Sequence, residues 1–452
     1  MFHKILIANR GEIAVRIIRA CRNMGIRSVA VYSKEDQNSL HVQLADQRVC
    51  IGEGPARNNY LNMERIITAA RNVGADAIHP GFGFLSENAD FVRLCNEYGI
   101  AFIGPTAEVI NSMGNKSHAR QTMMDAKVPV VPGTREPVYD AETGEKFADE
   151  IGYPVMIKAS SGGGGKGMRV AQSKDEFEFH FNMAQRESAN AFGDDTMYIE
   201  KYIENPRHVE IQIMADNFGN VVALGERDCS VQRNHQKLIE ESPCDAISPA
   251  LRKKMGEAAV QAAKAAGYVN AGTIEFLLDG DGHFYFMEMN TRIQVEHPVT
   301  EWVTGIDLIK EQIRIASGEP LGFTQNEIVL RGHAIECRIN AECPKQNFRP
   351  SPGTITDVYF PGGNGVRIDS AVYRGYTVPP WYDSMLAKLI VWGKDREEAI
   401  QRMRSALGEI IIEGIETNVD YQYGILQDPD YCSGKFDVEF LNESGKSPAS
   451  IA

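Results

Sequence analysis

The stretch "TIEFLLDGDGHFYFMEMNTRIQVEHP", residues 273–298, carries the signal that decides the fold. It predicts two strands joined by a turn, and if "GDGH" forms a four-residue loop, the antiparallel register places Glu275 opposite Glu288. Like charges in opposed positions destabilise a sheet, and the aromatic residues around them increase the conflict. A divalent cation removes this conflict. Mg²⁺ suits best because it takes carboxylate oxygens together with substrate phosphates, and Asn290 could add an oxygen from the same face.

A polar alternation continues beyond this acid pair. Its members at i, i+2 spacing are Glu288, Asn290, Arg292, Gln294 and Glu296. An extended chain would place all five side chains on one face. One interpretation is a solvated edge strand. The other is a reaction surface where Arg292 binds a small planar anion and Glu296 accepts a proton, and the facing Glu275 favours this second interpretation.

A glycine-rich stretch, "KASSGGGGKGMRV", occupies residues 158–170. The dinucleotide fingerprint matches it formally but needs a helix directly after the loop, and "MRVAQS" has the pattern of a strand. The Walker loop fails because Lys166 is followed by glycine and methionine, without a hydroxyl for a metal ion. The pattern therefore favours a strand, a glycine hairpin and a second strand laid over phosphates, with Lys158 as the phosphate lysine.

The chain around these motifs divides into three regions. Strand and helix patterns alternate over the first hundred residues, which predicts an open parallel sheet. A distinct α+β region opens with one helix over residues 107–128 and continues with strands and hairpin turns. Short strands with Pro/Gly turns then lead to an amphipathic helix at residues 395–410. The predicted domains are 1–114, 115–330 (with a lid subdomain at about 132–203), 331–446 and a tail at 447–452.

The composition excludes several classes of protein. The 452-residue chain carries a formal net charge of -14, which argues against a nucleic-acid partner. No apolar run approaches the ~20 residues that span a bilayer, so no membrane role is indicated. The start of the chain lacks the features of a secretory signal, and the eight cysteines are dispersed without a C-x-x-C pair. We therefore expect a cytoplasmic protein with reduced thiols.

The basic residues allow two interpretations. Arg233, His235 and Lys237 lie close together in "VQRNHQKLIEESP", which is either a solvated basic loop or an anion site. Arg338, in "AIECRIN", is flanked by positions with a buried pattern. A buried arginine needs a partner, so a structural ion pair with a carboxylate is a serious alternative to a catalytic role.

Taken together, the motifs of this chain resemble those of the biotin carboxylases, members of the ATP-grasp superfamily. The matching segments are "LIANRGEIAVRIIRA", "HPGFGFLSENADF", "IKASSGGGGKGMRV", "RDCSVQRNHQKLIEESP", "MEMNTRIQVEHPVTE" and "RINAECP". They follow in order from Phe2 to Leu441. The resemblance implies a fold of mixed α/β and α+β class, with a parallel α/β N-domain, a central ATP-grasp domain with a mobile glycine-hairpin lid, and a C-terminal β-rich biotin carboxylase domain.

The resemblance also implies site residues. Those of the nucleotide site are Lys116, Lys158, Gly164, Gly165, Glu200, Lys201, Ile203, His208, Gln232, His235, Glu275 and Glu288. The metal positions are Glu275, Glu288 and Asn290, and the bicarbonate positions are Lys237, Arg292, Gln294 and the backbone of Val295. Glu296 corresponds to the base that deprotonates bicarbonate, and Arg338 to the residue that stabilises the enolate-like biotin anion.

The implied reaction uses ATP and Mg²⁺ (or Mn²⁺) to convert bicarbonate to carboxyphosphate. The CO₂ derived from it is transferred to N1′ of carrier-bound biotin. The products are carboxybiotin, ADP and phosphate. The sequence has no Ala-Met-Lys-Met biotinylation motif, so the biotin carboxyl carrier protein and the carboxyltransferase are expected in trans, and the family suggests a homodimer. The parent enzyme is expected to be acetyl-CoA carboxylase of fatty-acid synthesis. Pyruvate, 2-oxo acid and propionyl-CoA carboxylases use the same kind of chain.

Two rival functions stay open from the sequence. The bicarbonate-activating half of carbamoyl-phosphate synthesis shares the metal carboxylates, although "RIQVEHPVTE" and "AIECRINAE" favour biotin. A nucleotide-binding regulatory protein without catalysis is the other rival. The polar residues from Glu288 to Glu296 argue against it, because a binding protein needs neither a base nor an anion clamp.

Overall fold

A computed structural model of the protein describes residues 1–159, 167–192 and 194–442. The predicted lid glycines Gly164 and Gly165 and the predicted tail at 447–452 lie outside these ranges. The described residues form an N-terminal parallel sheet, a small antiparallel sheet with two helices, and a large antiparallel sheet that continues into the C-terminal region.

The N-terminal region alternates strands and helices, as the sequence predicts. Its elements are β1 (Lys4–Ile7), α1 (Gly11–Asn23), β2 (Arg27–Ser33), α2 (Leu40–Leu44), β3 (Gln47–Gly52), α3 (Met63–Val73), β4 (Ala77–His79), α4 (Ala89–Glu97), β5 (Ala101–Phe102) and α5 (Ala107–Gly114). The five strands are parallel in the order β3-β2-β1-β4-β5. Loops that follow β1 and β4 end at the same edge of the sheet, where ligands of open α/β sheets bind.

The next region contains a small sheet covered by helices. The helix α6 (Lys116–Asp125) comes first and packs against β13 and the helix at Pro249–Ala265. The small sheet and its two helices follow, with α7 (Ala141–Ile151), β6 (Val155–Ala159), β7 (Met168–Ala171), α8 (Lys174–Phe192) and β8 (Met197–Lys201). Strands β6 and β7 are antiparallel neighbours, with Lys158 opposite Met168. The prediction of two strands flanking the glycine stretch is therefore confirmed. A strand, and not a helix, follows the glycines, which excludes the dinucleotide template.

The large sheet begins after this unit. Its central elements are β9 (Arg207–Ala215), β10 (Val221–Arg233), β11 (Gln236–Ser242), α9 (Pro249–Ala265), β12 (Asn270–Leu278), β13 (Phe284–Asn290), α10 (His297–Thr304) and α11 (Leu308–Ala316). Methionine and alanine side chains of α9 pack on the apolar face of β9, β10 and β12. The opposite face carries the charged residues that form the site.

Up to residue 442, the C-terminal region contains two strands of eight and nine residues, several shorter strands and three helices. Its elements are β14 (His333–Asn340), β15 (Glu342–Cys343), β16 (Arg349–Pro350), β17 (Gly353–Thr354), β18 (Asp357–Tyr359), β19 (Val366–Ser370), β20 (Thr377–Val378), β21 (Met385–Gly393), α12 (Arg396–Glu409), β22 (Ile411–Glu413), α13 (Val419–Ile425) and α14 (Pro429–Cys432). The amphipathic helix expected near residue 395 is α12, whose Asp395 side chain accepts from the backbone N–H of Glu398.

The large sheet crosses the predicted domain boundary between residues 330 and 331. Its order is β13-β12-β9-β10-β11-β14-β21-β19, and β11 pairs with β14. The central and C-terminal regions thus share one hydrogen-bonded sheet. The domain boundaries themselves stay a prediction.

One predicted helix is two helices in the structure. The expectation of a continuous helix over 107–128 is wrong because the chain breaks at Asn115 between α5 and α6. The Asn115 side-chain oxygen accepts from the backbone N–H of His118 at 2.9 Å and caps α6. Asparagine stabilises a new helix start by satisfying an otherwise unpaired N–H, which apolar periodicity does not reveal.

Glu275 and Glu288 are paired as predicted, but the turn and the strand register that pair them differ from the prediction. Glu275 lies opposite Glu288, whereas the next pair along the hairpin joins Phe276 to Phe286. Met287 is therefore the extra residue of a β-bulge. The backbone N–H of Asp279 donates to the carbonyl of His283 at 2.9 Å, so the turn closes over residues 280–282, one residue fewer than "GDGH" implies. The shorter turn and the bulge offset each other. The pair results from their combination, and the assumed four-residue loop is wrong.

The structure also shows the character of the helices and the state of the cysteines. Among the described residues, none of the helices combines the length and the apolar character needed to cross a bilayer. The eight cysteines are free, and Cys50 is exposed while six are buried.

The strand that carries Glu275 provides a stability prediction. A methyl group at Gly272 in β12 would lie 2.6 Å from Cζ of the buried Tyr268, whose hydroxyl donates to the Ala271 carbonyl. We expect Gly272→Ala to lower the free energy of unfolding by about 1–3 kcal/mol through overpacking. Denaturant unfolding followed by fluorescence measures this change.

The matched control is Gly256 in α9, where an added methyl group meets its nearest neighbour, Ala223, at 3.6 Å. Gly256→Ala is expected to raise stability by about 0.5–1 kcal/mol because alanine has the higher helix propensity. Equal effects of the two substitutions would contradict the packing argument at Gly272.

Candidate active site

A cavity of about 560 Å³ lies where the N-terminal sheet faces the large sheet. Its N-terminal wall comes from the loops after β1 and β4, with Asn9, Arg10, Phe82, Gly83 and Phe84. The opposite wall contains most of the predicted site residues: His235, Lys237, Glu275, Glu288, Asn290, Arg292, Gln294, Val295, Glu296 and Arg338. The structure thus brings into one cavity residues that are far apart in the sequence.

The polar alternation is only partly a strand. β13 ends at Asn290, and Arg292, Gln294 and Glu296 lie on the irregular segment that leads into α10. The expectation of one extended strand through Glu296 is therefore wrong. The segment nevertheless lines the cavity with the predicted side chains, because it is held by side chains from other parts of the fold.

The ammonium group of Lys237 binds three carboxylates. Its Nζ lies 2.6 Å from Oε2 of Glu210 and 2.7 Å from Oε1 of Glu296. It also lies 3.0 Å from Oε1 of Glu275. Burial alone would lower the pKa of Lys237, but the three negative charges raise it well above its ordinary value. Lys237 therefore remains a cation in the buried wall of the cavity.

A second buried cation, Arg227, supports this cluster from behind. Its side chain is fully buried and forms an ion pair with Glu210. The remaining guanidinium N–H groups donate to Gln212, Thr273, Gln294 and Thr300. The contact with Oε1 of Gln294, at 3.1 Å, directs the Gln294 amide nitrogen towards Glu275, to which it donates at 2.9 Å.

Glu296 lies between Lys237 and Arg338. Its Oε2 accepts from Nη2 of Arg338 at 3.1 Å, while Oε1 faces Lys237. Burial alone would raise the pKa of Glu296, but Lys237, Arg338 and Arg227 hold it well below its usual range. The carboxylate is therefore ionised at neutral pH, as a proton acceptor must be.

Arg338 combines the two roles that the sequence left open. Its Nε donates to Oε1 of the buried Glu240 at 2.6 Å, which is the structural ion pair. Its side chain also lines the cavity and contacts Glu296. An arginine held on one side by a buried acid presents its remaining N–H groups in a fixed direction.

Arg292 is held from the N-terminal region. Its Nε donates to Oε2 of Glu87 at 2.8 Å, and the backbone N–H and hydroxyl of Thr291 donate to Oε1 of the same residue at 3.0 and 3.1 Å. On its other side, Nη2 donates to Oδ1 of Asn290 at 2.9 Å. Glu87 thus fixes the irregular segment directly after β13.

The acid pair has the character of a site for a hard cation. Glu275 is surrounded by donors, with His208 at 2.8 Å and Asn290 at 2.8 Å in addition to Lys237. Among the described residues, Glu288 has no hydrogen-bond or ion-pair partner, and it faces the cavity. The surrounding protein and the charge of Glu275 raise the pKa of Glu288. A divalent ion bound by these carboxylate oxygens would remove the repulsion, so the residues fit Mg²⁺.

Asn290, the third predicted metal position, is engaged on both sides. Its amide nitrogen donates to Glu275, and its oxygen accepts from Arg292. The structure thus makes Asn290 a link between the acid pair and the arginine.

The nucleotide positions fall into two groups. Lys116, Lys158 and Glu200 line a second cavity of about 120 Å³ together with Arg120. Nζ of Lys158 forms an ion pair with Glu200, and Arg120 lies 3.7 Å from the other oxygen of this carboxylate. Lys158, the penultimate residue of β6, therefore lies beside an acid of β8.

The other predicted nucleotide positions among the described residues do not line this second cavity. Nζ of Lys201 donates to the carbonyls of Gly152 and Tyr153, so its side chain ties β8 to the turn before β6. Ile203 follows β8 and is half-buried, and Gln232 is buried opposite Lys237. His235 occupies the exposed turn between β10 and β11 and lines the main cavity.

Sequence reasoning missed the residues that hold the site in place. Besides Glu87 and Arg227, these include Glu210, Glu240 and Lys388. Lys388 is fully buried in β21, and its Nζ donates to the carbonyl of Val295 at 2.9 Å. Glu87 lies within the quoted motif "HPGFGFLSENADF", but its partners are more than 200 positions away. Of these residues, only Arg227 could have been suspected from the sequence, because an arginine in a strand with a buried pattern requires an acidic partner.

Three family models match the chain in order. "Biotin carboxylase, N-terminal domain" matches residues 1–110, "Carbamoyl-phosphate synthase L chain, ATP binding domain" matches residues 115–324, and "Biotin carboxylase C-terminal domain" matches residues 336–443. The matches cover both sheets and the segment that lines the cavity.

Similar proteins match over nearly their full length. The biotin carboxylase of Nostoc sp. is 59% identical over 445 residues, which cover 98% of this chain and 100% of that protein. A pyruvate carboxylase subunit of Methanothermobacter thermautotrophicus is 55% identical over 443 residues, which cover 98% of this chain and 90% of that protein.

A solved structure gives the same result. The biotin carboxylase domain of the Hydrogenobacter thermophilus 2-oxoglutarate carboxylase was solved as a dimer with MgADP, ADP and bicarbonate. It is 50% identical to this chain with a TM-score of 0.91, and the match covers 100% of this chain and 99% of that one. The three family models, these identities and the shared fold agree, and the chain belongs to the biotin carboxylase family of ATP-dependent ligases.

Proposed function

We propose that the protein uses ATP and bicarbonate to carboxylate biotin on a carrier protein, with carboxyphosphate as the intermediate and ADP and phosphate as products. The observation that carries this proposal is the arrangement of Glu296. An ionised, buried base lies between Lys237 and Arg338 in one cavity with Arg292 and the acid pair Glu275 and Glu288. Proton abstraction from an anion needs such a combination of base and cations.

In the first step, bicarbonate is held beside Glu296. Arg292 offers the planar donor fork that suits a carboxylate-like anion, and Lys237 and Gln294 add donors from the sheet side. The hydroxyl proton of bicarbonate moves to a carboxylate oxygen of Glu296, and the cations stabilise the dianion that forms. A bicarbonate oxygen then attacks the γ-phosphorus of ATP, and the bond to ADP breaks.

In the second step, CO₂ released from carboxyphosphate reacts with biotin. Carboxyphosphate breaks its C–O bond to give CO₂ and phosphate, and the phosphate accepts the N1′ proton of biotin. Negative charge develops on the ureido oxygen as N1′ forms the new N–C bond to CO₂. Arg338 is suited to stabilise this charge because Glu240 fixes one side of its guanidinium and leaves the other directed at the cavity.

The nucleotide and metal sites are part of the same proposal. Mg²⁺ bound by the oxygens of Glu275 and Glu288 would neutralise charge on the ATP phosphates during transfer. Lys116 and Lys158 are proposed to bind the phosphates, while Glu200, Lys201, Ile203, His208, Gln232 and His235 complete the nucleotide site. Gly164 and Gly165 are proposed as the part of the lid that covers the phosphates.

The main rival within enzymes is carbamoyl-phosphate synthesis. The model that matches residues 115–324 is named for that enzyme, so the central region does not separate the two reactions. The flanking regions do, because residues 1–110 and 336–443 match models named for biotin carboxylase. Arg338, on which the biotin step depends, lies in the C-terminal match.

The proposal extends to the parent enzyme, its partners and its location in the cell. We infer a cytoplasmic homodimer that supplies the first half-reaction of an acetyl-CoA carboxylase, with the carrier protein and carboxyltransferase as partners. The named biotin carboxylases among the relatives support this setting. The related chain of a pyruvate carboxylase and the domain of a 2-oxoglutarate carboxylase support a pyruvate or 2-oxo acid enzyme as the alternative.

The proposed reaction is tested by bicarbonate-dependent ATP hydrolysis. With Mg²⁺ and the purified chain, we expect ADP release that requires bicarbonate. The release should rise when free biotin is added, because biotin then accepts the CO₂ derived from carboxyphosphate. Omission of bicarbonate and of Mg²⁺ are the controls. Intact folding without any bicarbonate-dependent hydrolysis would show that the proposed function is wrong.

The role of the base is tested by Glu296→Gln. We expect biotin-stimulated turnover to fall at least ~100-fold, because the amide cannot accept the proton. ATP binding, measured by calorimetry, should stay within a few-fold because Glu296 does not line the cavity of Lys116, Lys158 and Glu200. Glu311→Gln, a buried glutamate paired with Arg314 elsewhere, serves as the control. Wild-type turnover in Glu296→Gln would remove Glu296 as the base.

The ion pair between Glu87 of the N-terminal region and Arg292 is tested by Glu87→Gln. The neutral side chain loses its ion pair with Arg292, so we expect the KM for bicarbonate to rise roughly tenfold while the KM for ATP changes little. Steady-state kinetics with each substrate varied in turn provides the measurement. Glu97→Gln, at an exposed position of α4, should behave as wild type. A matching rise in both constants would indicate general loss of structure instead.

A further inference from the structure

Two fully buried glutamates lie directly opposite each other behind Arg338. Glu240 of β11 pairs with Glu336 of β14 in the antiparallel ladder, and both are inaccessible to solvent. Opposed residues in such a ladder have Cβ atoms about 4.5–5.5 Å apart, which brings two carboxyl groups within reach of each other. Two negative charges at this distance would destabilise the sheet, so the pair needs an explanation.

The hydrogen bonds of this pair are incomplete in a specific way. Oε1 of Glu240 accepts from Nε of Arg338 at 2.6 Å and lies 2.5 Å from Nη2. Among the described residues, Oε2 of Glu240 and both oxygens of Glu336 are buried without a hydrogen-bond partner. Buried polar atoms are almost always paired, and a single proton between the two carboxyl groups would pair Oε2 of Glu240 with one of the two Glu336 oxygens.

The surrounding charges favour the same conclusion. The charged or titratable groups facing the pair are Lys237 on β11, Cys337 and Arg338 on β14, Lys388 on β21 and Glu296 before α10. Lys237 already binds three carboxylates, and Lys388 is bound to the Val295 carbonyl and lies 3.3 Å from Glu12. Arg338 is the cation that binds the pair directly, and it is shared with Glu296. Lys388 attracts Glu336 but is held by its own partners. One shared guanidinium does not compensate two adjacent ionised glutamates.

We propose that Glu336 is a neutral carboxylic acid that donates a hydrogen bond to Oε2 of Glu240, and that this carboxyl pair positions the guanidinium of Arg338 in the cavity. Glu240 and Glu336 are positioning residues, since they act through Arg338. Burial raises the pKa of Glu336 well above its ordinary value and that of Glu240 to about 7, which agrees with a retained proton.

The pair makes the position of Arg338 dependent on pH. While the proton is present, Glu240 carries the negative charge that Arg338 balances. When the proton is lost at high pH, two adjacent carboxylates repel each other and draw the guanidinium away from the cavity. The raised pKa therefore means that the function of Arg338 persists at neutral pH and is lost as the pH rises through the pKa of the pair. This consequence rests on the proposed role of Arg338 in biotin carboxylation.

The protonation state is tested directly by infrared spectroscopy of the full chain at neutral pH. The carboxylic acid C=O band of wild type is expected to lose the contribution of one buried acid in Glu336→Gln. Glu226→Gln, a buried glutamate that is ion-paired with Arg252 away from the pair, should keep the band. An unchanged band in Glu336→Gln would show that Glu336 is ionised and overturn the proposal. This readout does not depend on catalysis, so it separates the proposal from the proposed function.

The positioning role is tested by the pH profile of biotin-stimulated ATP hydrolysis. Glu336→Gln retains a donor that cannot ionise, so we expect turnover reduced by at most about threefold at neutral pH and an alkaline limb shifted upwards. Glu240→Gln removes the charge that holds Arg338, and we expect a fall of about tenfold or more in kcat with biotin, with the KM for ATP within about twofold. An unshifted alkaline limb in Glu336→Gln, or equal losses in kcat and ATP affinity in Glu240→Gln, would contradict the positioning role.

Discussion

The balance of charge around Lys237 is the constraint on which the site depends. One buried ammonium group holds Glu210, Glu275 and Glu296, which come from β9, β12 and the segment before α10. Without this cation, each of the three carboxylates would keep only its second ion-pair partner, Arg227, His208 or Arg338, against the cost of its burial. With it, the pKa values of Glu296 and Glu275 both stay well below their usual range, so both side chains are ionised. The proposed base and one of the proposed metal ligands are thus bound by the same ammonium group.

The site is also a product of contacts between regions. The loop after β4 in the N-terminal region contributes Glu87, which binds Thr291 and Arg292, and β21 contributes Lys388, which binds the carbonyl of Val295. The irregular segment between β13 and α10 has little regular hydrogen bonding of its own. Its geometry is set from one side by the exposed Glu87 and from the other by the fully buried Lys388, which explains how a segment that is not a strand can present its polar residues to one cavity.

Much of this arrangement was predictable. Apolar periodicity indicated the parallel sheet, the strands around the glycine stretch and α12, and the acidic residues of the hairpin indicated the opposed pair of Glu275 and Glu288. Predictions that depended on local geometry were less accurate. The helix break at Asn115, the bulge at Met287 and the end of β13 at Asn290 each depend on a cap, a backbone irregularity or a distant partner, and none of these alters the pattern of apolar residues.

The sequence by itself determined the family, the order of the elements and the types of residue that the chemistry requires, because these are properties of local pattern and of motif. Only the tertiary structure decided which charges meet. Glu87 and Arg292, Glu240 and Arg338, and Lys388 and the Val295 carbonyl are separated by roughly 90 to 200 positions and have no mutual signal in one sequence. Electrostatic interactions depend on distance and burial, and both are fixed only when the sheets pack against each other.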